Sequence, residues 1–324
     1  TGRRGAVTEF RHVGSIAMLQ PREAGGQVPG QRFIDPEVLA RIDNLELVAR
    51  NVVDGFISGL HRSPLLGMTM DFAEHRAYMP GDDVRRIDWR LYARTDRLYV
   101  KQFEADTNAN LHLVLDVSRS MDYGSGAVTK LAYAKFLAAS LAYLSRRQRD
   151  RIGLITFDND IVDVIPTSIR HFERVLHMLD QVEVGGASEY HRPLEKIAEQ
   201  LRRRSLVVLI SDLYETPERL LKAINQLNYR GNDLIVFHLL DPLELSLDLG
   251  AATSVEDLES GINLPIASEQ FRERYRQLVQ EHQAELERRF GANQIDYIFA
   301  DISQPLDRTL FRYLSDRARQ NRVR

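Results

Sequence analysis

The chain has 324 residues, of which 44% are hydrophobic and 27% are charged, and its formal net charge is −3. This composition indicates a globular protein of one large or two modest domains, and the charge gives no indication of nucleic-acid binding. The absence of cysteine excludes disulfides, thiolate metal sites and thiol catalysis. The longest apolar run, Phe136 to Leu144, is too short to span a bilayer, and no signal peptide is recognisable. We therefore expect a cytoplasmic protein without membrane insertion.

The N-terminal third is predicted in three parts. Residues 1–34 lack any periodicity and are predicted to be a flexible leader. A helix is expected to open at Pro36, because Asp-Pro is a typical helix start, and to end before Gly59. The short mixed runs of 67–103 predict irregular β-structure attached to the main sheet. Residues 35–110 are thus predicted to form an N-terminal helix and a small β-subdomain.

From residue 111 to residue 324, apolar strands alternate with amphipathic helices. Strands are predicted at 111–115, 151–157, 161–165, 206–210, 234–239 and 295–299. Helices are predicted at 128–147, 170–181, 191–203, 217–229, 269–289 and 306–319, with a polar hairpin at 247–265. Strands that are apolar throughout are typical of a parallel sheet covered on both faces. The predicted fold is therefore α/β, a doubly wound and mostly parallel sheet of Rossmann type.

One motif directly follows the first of these buried strands. It reads Asp116-Val117-Ser118-Arg119-Ser120, which supplies one carboxylate and two hydroxyls at alternate positions. Oxygen donors of this kind are what Mg²⁺ prefers. The alternative is an Asp- and Ser-rich turn that caps the following helix.

Two further segments favour the metal interpretation. Asp212 follows the strand at 206–210, and a parallel neighbour would bring it to the same sheet edge as Asp116. Between them, Gly185-Gly186 precedes Ser188, a third hydroxyl. The predicted metal site therefore comprises Asp116, Ser118, Ser120, Ser188 and Asp212, with Mg²⁺ or Mn²⁺ as the ion.

The order of these segments resembles the metal-ion-dependent adhesion site of von Willebrand factor A domains. The resemblance implies that Ser118 and Ser120 bind the ion directly, and that Asp116 and Asp212 bind it directly or through water. The family's threonine is matched by Ser188, which stands one residue late after the glycines. The resemblance also implies that a partner's carboxylate completes the coordination of the ion.

A second resemblance is carried by the segment from Arg76 to Trp89, which reads RAYMPGDDVRRIDW. This segment is similar to the hallmark of the bacterial family "domain of unknown function fifty-eight", as are Ala93-Arg94-Thr95, Tyr99-Val100-Lys101, Phe103-Glu104 and Thr129-Lys130-Leu131. The resemblance covers about 35–320. Members are typically encoded beside a MoxR-type AAA+ ATPase, which implies that this ATPase or its client protein is a partner.

The segment from Arg85 to Lys101 is basic, with six basic and two acidic residues. It is either a solvated, ion-paired surface or a docking face for an acidic partner. The candidate docking residues are Arg85, Arg86, Trp89, Arg90 and Arg94. The alternative for Trp89 is that it packs the small β-subdomain onto the sheet.

Three functions remain open at this stage. The leading hypothesis is a non-enzymatic interaction module that works with the ATPase in the assembly or maturation of client proteins. The second is a metal-dependent hydrolase with Asp212 or Glu189 as its base. The third is a structural domain with a vestigial site. ATP binding through a P-loop is not expected, because the chain has no G-x-x-x-x-G-K-[ST] motif. Separately, His191 is a further candidate for lining the metal site.

Overall fold

The computed structural model describes most of the chain from residue 35 onwards. The described ranges are 35–42, 44–60, 75–77, 89–101, 109–187, 189–201, 204–228, 231–248, 254–256, 263–265 and 269–310. The predicted leader, 1–34, lies outside them. The predicted division into domains stays a prediction.

The predicted N-terminal helix is wrong in one respect, because two helices replace it: α1 (Pro36–Leu39) and α2 (Leu45–Leu60). Asp35 caps α1 as expected, since its side chain accepts a hydrogen bond from the Glu37 N–H. The interruption between α1 and α2 has a local cause. The Asn44 side chain accepts from the Leu47 N–H at 2.9 Å, and such a cap starts a new helix.

The small β-subdomain also differs from the prediction. Strands β1 (His75–Ala77) and β2 (Tyr99–Lys101) pair antiparallel as a separate sheet and do not extend the central one. Helix α3 (Trp89–Thr95), which was not predicted, lies between them in the chain. Trp89 is 59% exposed, so the expectation that it packs the subdomain onto the sheet is wrong.

The central sheet has six strands among the described residues, and each predicted strand is confirmed. They are β3 (Asn110–Asp116), β4 (Arg151–Phe157), β5 (Ile161–Ser168), β6 (Leu206–Ser211), β7 (Asp233–Leu240) and β10 (Asp296–Asp301). The helices are α4 (Lys130–Arg147), α5 (Phe172–Gln181), α6 (His191–Gln200), α7 (Pro217–Asn228), α8 (Pro242–Ser246), α9 (Glu269–Ala292) and α10 over 306–310. The predicted hairpin is confirmed as β8 (Ser254–Glu256) paired with β9 (Asn263–Pro265). Helix α8 was not predicted.

The strand order across the sheet is β10-β7-β6-β3-β4-β5. All neighbours are parallel except the edge strand β5, which runs antiparallel to β4. The chain leaves β3 towards β4 and β5, and then returns to place β6 on the other side of β3. The strand order therefore reverses between β3 and β6, and open α/β sheets bind ligands at this kind of point.

Both faces of the sheet are covered, as a doubly wound fold requires. Leu113 and Leu115 of β3 pack in one cluster with α2, α4 and α5. Val114, between them, packs on the other face with α6, α7 and α9. Burial of each such side chain contributes about 1.5–3 kcal/mol. The carboxyl ends of β3 and β6 are thereby held rigidly side by side.

The C-terminal part of the described chain closes the first of these two layers. Leu306 and Leu310 of α10 join the cluster beneath α4. The buried hydroxyls of Tyr133 and Thr309 lie 2.9 Å apart and share a hydrogen bond. Within the described ranges, no helix is both long and apolar enough to cross a membrane.

Candidate metal centre

The carboxylate of Asp116 is fully buried at the end of β3 and is surrounded by hydrogen-bond donors. Its Oδ1 accepts from the Ser118 N–H at 2.9 Å. Its Oδ2 accepts from the Ser211 hydroxyl at 2.7 Å and from the Tyr190 hydroxyl at 3.2 Å. Asp116 is therefore held in one orientation by groups from three segments of the chain.

The hydroxyls of Ser118 and Ser120 form the next part of the site. Both residues are fully buried, and their Oγ atoms lie 3.1 Å apart. Ser118 precedes a short 3₁₀ turn, Arg119–Asp122, but its side chain makes no capping hydrogen bond to the residues described there. Helix α4 is capped instead by Thr129, whose hydroxyl accepts from the Ala132 N–H. The capping alternative for this motif is thus wrong for Ser118.

The glycine turn, Gly185-Gly186, lies directly against the Asp-x-Ser-x-Ser motif. The Gly185 N–H donates to the Val117 carbonyl at 2.6 Å, and the Arg119 N–H donates to the Gly186 carbonyl at 2.8 Å. Asp158, just after β4, fixes the turn by accepting from the Gly186 N–H at 2.9 Å. A Cβ atom at residue 185 would lie 2.6 Å from Asp158 Oδ2, so a side chain there requires the Asp158 carboxylate to move away from the Gly186 N–H.

Asp212 follows β6 and lies at the same sheet edge. Only one of its two carboxylate oxygens accepts a hydrogen bond from a described residue. Its Oδ2 accepts from the Lys130 ammonium at 2.8 Å. The same ammonium donates to Glu244 Oε1 at 2.7 Å, and all three side chains are buried. Within the described part of the chain, Asp212 Oδ1 is buried without a hydrogen-bond partner. An acceptor left in this state costs about 1–3 kcal/mol, and it is a place for a ligand.

Burial dominates the electrostatics of the site. It raises the pKa of Asp116 to about 6, with a further contribution from the negative charge of Asp212. Burial also raises the pKa of Glu244, although the Lys130 ammonium acts in the opposite direction. For Lys130 burial favours the neutral amine, but the two carboxylates outweigh it and the pKa is raised. The ionised carboxylates are therefore kept at a cost that an additional cation would offset.

A small cavity lies behind Asp212, with a volume of about 20 Å³. That is enough for one water molecule. Two histidines line it. His238 is also bonded through Nδ1 to the Tyr297 hydroxyl at 2.6 Å. Burial lowers the pKa of His238 well below its usual value and that of His282 to about 4. Both rings are therefore neutral at pH 7, and they add no positive charge beside Asp212.

The structure brings four of the five predicted ligands to one edge of the sheet: Asp116, Ser118, Ser120 and Asp212. Ser188, Arg85 and Arg86 lie outside the described residues, and the side chain of Arg90 is likewise not described. His191 is exposed at the start of α6, with its Nδ1 3.5 Å from Gln226 Nε2. Glu189 is exposed and accepts from the His191 and Arg192 N–H groups. Among the described residues, no hydrogen bond joins His191 or Glu189 to Asp116, Ser118, Ser120 or Asp212.

Sequence reasoning missed four residues that hold the ligands in place: Lys130, Tyr190, Ser211 and Glu244. Ser211 carried a usable signal, because it stands between a buried strand and Asp212. Lys130 lies within Thr129-Lys130-Leu131, a segment that resembles the family. No feature of the neighbouring sequence indicated that it would pair with Asp212 and Glu244.

The residues present fit a hard divalent cation. Two serine hydroxyls, a fixed carboxylate and an unused carboxylate oxygen are the donor types that Mg²⁺ and Mn²⁺ accept. Within the described ranges, no group of three or more His, Asp or Glu side chains forms a ready metal cage. A cation here would depend on the hydroxyls and retained water. The residues that would hold it are Asp116, Ser118, Ser120 and Asp212.

The glycine turn gives a direct test of this arrangement. Gly185→Ala should lower the free energy of unfolding by about 1–3 kcal/mol, because the new methyl group meets the Asp158 carboxylate. Gly126→Ala is the matched control, since no atom lies within 4 Å of a Cβ atom built there. Urea unfolding of both variants measures the difference. Equal stability of the two would contradict the described packing of the turn.

Comparison with known proteins gives relatives of similar length. The uncharacterized proteins Mb1516 of Mycobacterium bovis and Rv1480 of Mycobacterium tuberculosis are each 29% identical over 233 residues. These residues make up 70% of this chain and 73% of each relative.

Three solved structures are similar to this chain at low sequence identity. An aerotolerance-related membrane protein from Bacteroides fragilis has a TM-score of 0.46 at 15% identity, covering 64% of this chain and 99% of that one. The conserved hypothetical protein BatB from Bacteroides thetaiotaomicron has a TM-score of 0.43 at 15% identity, with 65% and 99% covered. The SpRpn10 VWA domain has a TM-score of 0.36 at 12% identity, with 63% and 94% covered. These similarities concern the fold alone.

The family assignment comes from the sequence. The model of the family described as "Protein of unknown function DUF58" matches residues 74–285, which is more than half of the chain. The match spans the basic segment, the Asp-x-Ser-x-Ser motif, Lys130 and Asp212. The chain therefore belongs to the DUF58 family, and its own strand order is that of a doubly wound α/β fold.

Proposed function

We propose that the chain is a non-enzymatic protein-interaction module. It binds a partner through a Mg²⁺ or Mn²⁺ ion held at the carboxyl ends of β3 and β6. The ligands are Asp116, Ser118, Ser120 and Asp212, with Ser188 as a further candidate. An acidic side chain of the partner completes the coordination of the ion.

The observation that carries this proposal is the state of Asp212. Its Oδ1 is buried and unused among the described residues, while its other oxygen is anchored by Lys130. The site also holds more negative than positive charge. With all three carboxylates ionised, Asp116, Asp212 and Glu244 would carry three negative charges against the single positive charge of Lys130, so −3 + 1 = −2. A divalent cation would match that charge and use the free oxygen.

The available side chains argue against hydrolysis. A hydrolase needs a base within hydrogen-bond reach of the attacking water. Of the two candidate bases, Glu189 accepts hydrogen bonds from the backbone at the start of α6. Asp212 is the counter-ion of the Lys130 ammonium, which it contacts through Oδ2. Release of phosphate or peptide products, lost in Asp116→Ala, would contradict the proposal.

The exposed surroundings of the site suit binding to another protein. Gly185, Gly186 and Arg119 are exposed directly beside the buried ligands. A partner's carboxylate can therefore approach from this side. The family resemblance suggests a MoxR-type AAA+ ATPase, or a client protein that it acts on, as that partner.

The metal site predicts a thermal shift. Metal-stripped protein should gain stability in millimolar Mg²⁺ or Mn²⁺, by about 2.7 kcal/mol when the ion is at a hundredfold excess over its Kd. Asp116→Ala and Ser120→Ala should lose this gain, because each removes an oxygen that holds or orients the ion. Differential scanning calorimetry with and without the ion measures the shift.

Asp233→Asn is the matched control for this experiment. Asp233 is an exposed carboxylate at the opposite edge of the sheet, in a surface ion pair with Arg204. Its removal should cost little and should leave the shift unchanged. The absence of any shift in the wild type would contradict a metal site and favour a structural domain with a vestigial site.

We propose a second contact surface on helix α3, formed by Trp89, Tyr92 and Arg94. Trp89 and Tyr92 are 59% and 38% exposed, and their rings pack edge to face at 6.1 Å. Arg94 is also exposed. Exposed Trp, Tyr and Arg side chains are the ones most enriched at binding hot spots. With the predicted basic residues Arg85, Arg86 and Arg90, this surface would suit an acidic face of the partner.

The docking surface predicts a loss of binding without a loss of stability. Trp89→Ala combined with Arg94→Ala should weaken partner binding by about thirtyfold, corresponding to ~2 kcal/mol. The melting temperature should stay unchanged, because the side chains are exposed. Arg174→Ala, an exposed arginine on α5, is the control for charge. A matching fall in melting temperature would show that the pair supports the fold instead.

A further inference from the structure

Lys130 is a fully buried lysine at the start of α4. Its ammonium donates to Asp212 Oδ2 at 2.8 Å and to Glu244 Oε1 at 2.7 Å. It also lies 4.7 Å from the centre of the Tyr214 ring. An ammonium in such surroundings is tolerated only when it is paired and hydrogen-bonded. Its two carboxylates meet this requirement.

The two carboxylates are not equivalent. Both oxygens of Glu244 are used, because Oε2 accepts from the Asp241 N–H at 2.8 Å as part of the capping box of α8. Asp212 has one oxygen bonded to Lys130 and the other without a partner among the residues described. Glu244 is thus a counter-ion whose two oxygens both have hydrogen-bond partners within the chain. Asp212 keeps one oxygen for a ligand.

We propose that Lys130 restricts Asp212 to a single ligand oxygen and thereby makes the metal site select Mg²⁺ or Mn²⁺ over Ca²⁺. This inference rests on the proposed metal-dependent function. Ca²⁺ takes six to eight oxygens and commonly binds both oxygens of a carboxylate. Mg²⁺ takes an octahedral set, retains water and is satisfied by one oxygen per carboxylate. Asp212 Oδ2 accepts from the Lys130 ammonium, and that positive charge opposes the binding of a cation to the same oxygen.

The chain offers a charge-matched test. Lys130→Met combined with Glu244→Gln removes one positive and one negative charge, so the site keeps its net charge of −2. The double variant frees Asp212 Oδ2 without the buried charge imbalance that Lys130→Met alone would create. Its cost in stability should be smaller than that of Lys130→Met alone, because the buried group loses one charge of each sign. Glu244→Gln alone keeps the contact between Lys130 and Asp212 and is the control.

The experiment is calorimetric titration of Mg²⁺, Mn²⁺ and Ca²⁺ into the metal-stripped wild type and these variants. The ratio of the Kd for Ca²⁺ to the Kd for Mn²⁺ should be at least about tenfold lower in the double variant than in the wild type, corresponding to ~1.4 kcal/mol. Glu244→Gln should keep the wild-type ratio. If the double variant binds metal with an unchanged ratio of the two Kd values, the proposed role of Lys130 is overturned, but the proposed metal site is not. A wild type that binds none of the three ions overturns the metal-dependent function, and this inference with it.

A second measurement needs only the wild type and covers the case in which the double variant does not fold. Infrared difference spectra of the carboxylate stretches distinguish one-oxygen from two-oxygen binding of a metal. With Mg²⁺ and with Ca²⁺, the wild type should show no two-oxygen binding in the bands that Asp212→Asn removes. A two-oxygen signature with Ca²⁺ at those bands would overturn the proposal.

Discussion

One buried ammonium joins three parts of the chain that are far apart in sequence. Lys130 stands at the first turn of α4, Asp212 follows β6, and Glu244 lies in α8. Each of these elements is packed by apolar residues, but that packing does not determine how their polar ends meet. The hydrogen bonds of Lys130 determine it. Loss of one member of such a buried group typically costs 3–5 kcal/mol, because it leaves an uncompensated charge.

This polar group lies at the point where the order of the strands reverses. The core on either side of the sheet is continuous and apolar, and it holds the ends of β3 and β6 in a fixed register. Carboxylates and hydroxyls collected at such a rigid edge lose little further entropy when they bind a ligand. Their burial also strengthens any electrostatic interaction made there. On the proposed function, such an edge would be preorganised for a small, hard cation, and its exposed rim would admit a partner.

Most of the fold could be predicted from the sequence, because each central strand is a short, almost continuous apolar run between polar turns. The position of Asp116, Ser118 and Ser120 at a strand end followed from the same pattern. The contacts of the site could not be predicted in this way. Tyr190 and Ser211 bond Asp116 across 74 and 95 residues, and Lys130 bonds Glu244 across 114. Such pairs arise only when the sheet has formed, and they leave no local periodicity in the chain.

The errors in the N-terminal part have local causes as well. The apolar spacing from Val38 to Val48 fits a single helix, but the Asn44 side chain starts a second one. For Trp89 the sequence left two alternatives open, a docking face and packing of the small β-subdomain onto the sheet. Its exposure on a short helix between the two strands of a small sheet instead favours a role at the surface.

The most direct test of the metal-dependent account is the anomalous diffraction of crystals grown with Mn²⁺. The account predicts one strong peak at the carboxyl ends of β3 and β6, within bonding distance of the Ser118 and Ser120 hydroxyls. It also predicts that the oxygen nearest to the ion from Asp212, directly or through one water, is Oδ1. An ion bound only elsewhere, for example at the exposed carboxylates beyond β4, would contradict the account, and so would the absence of a peak at saturating Mn²⁺.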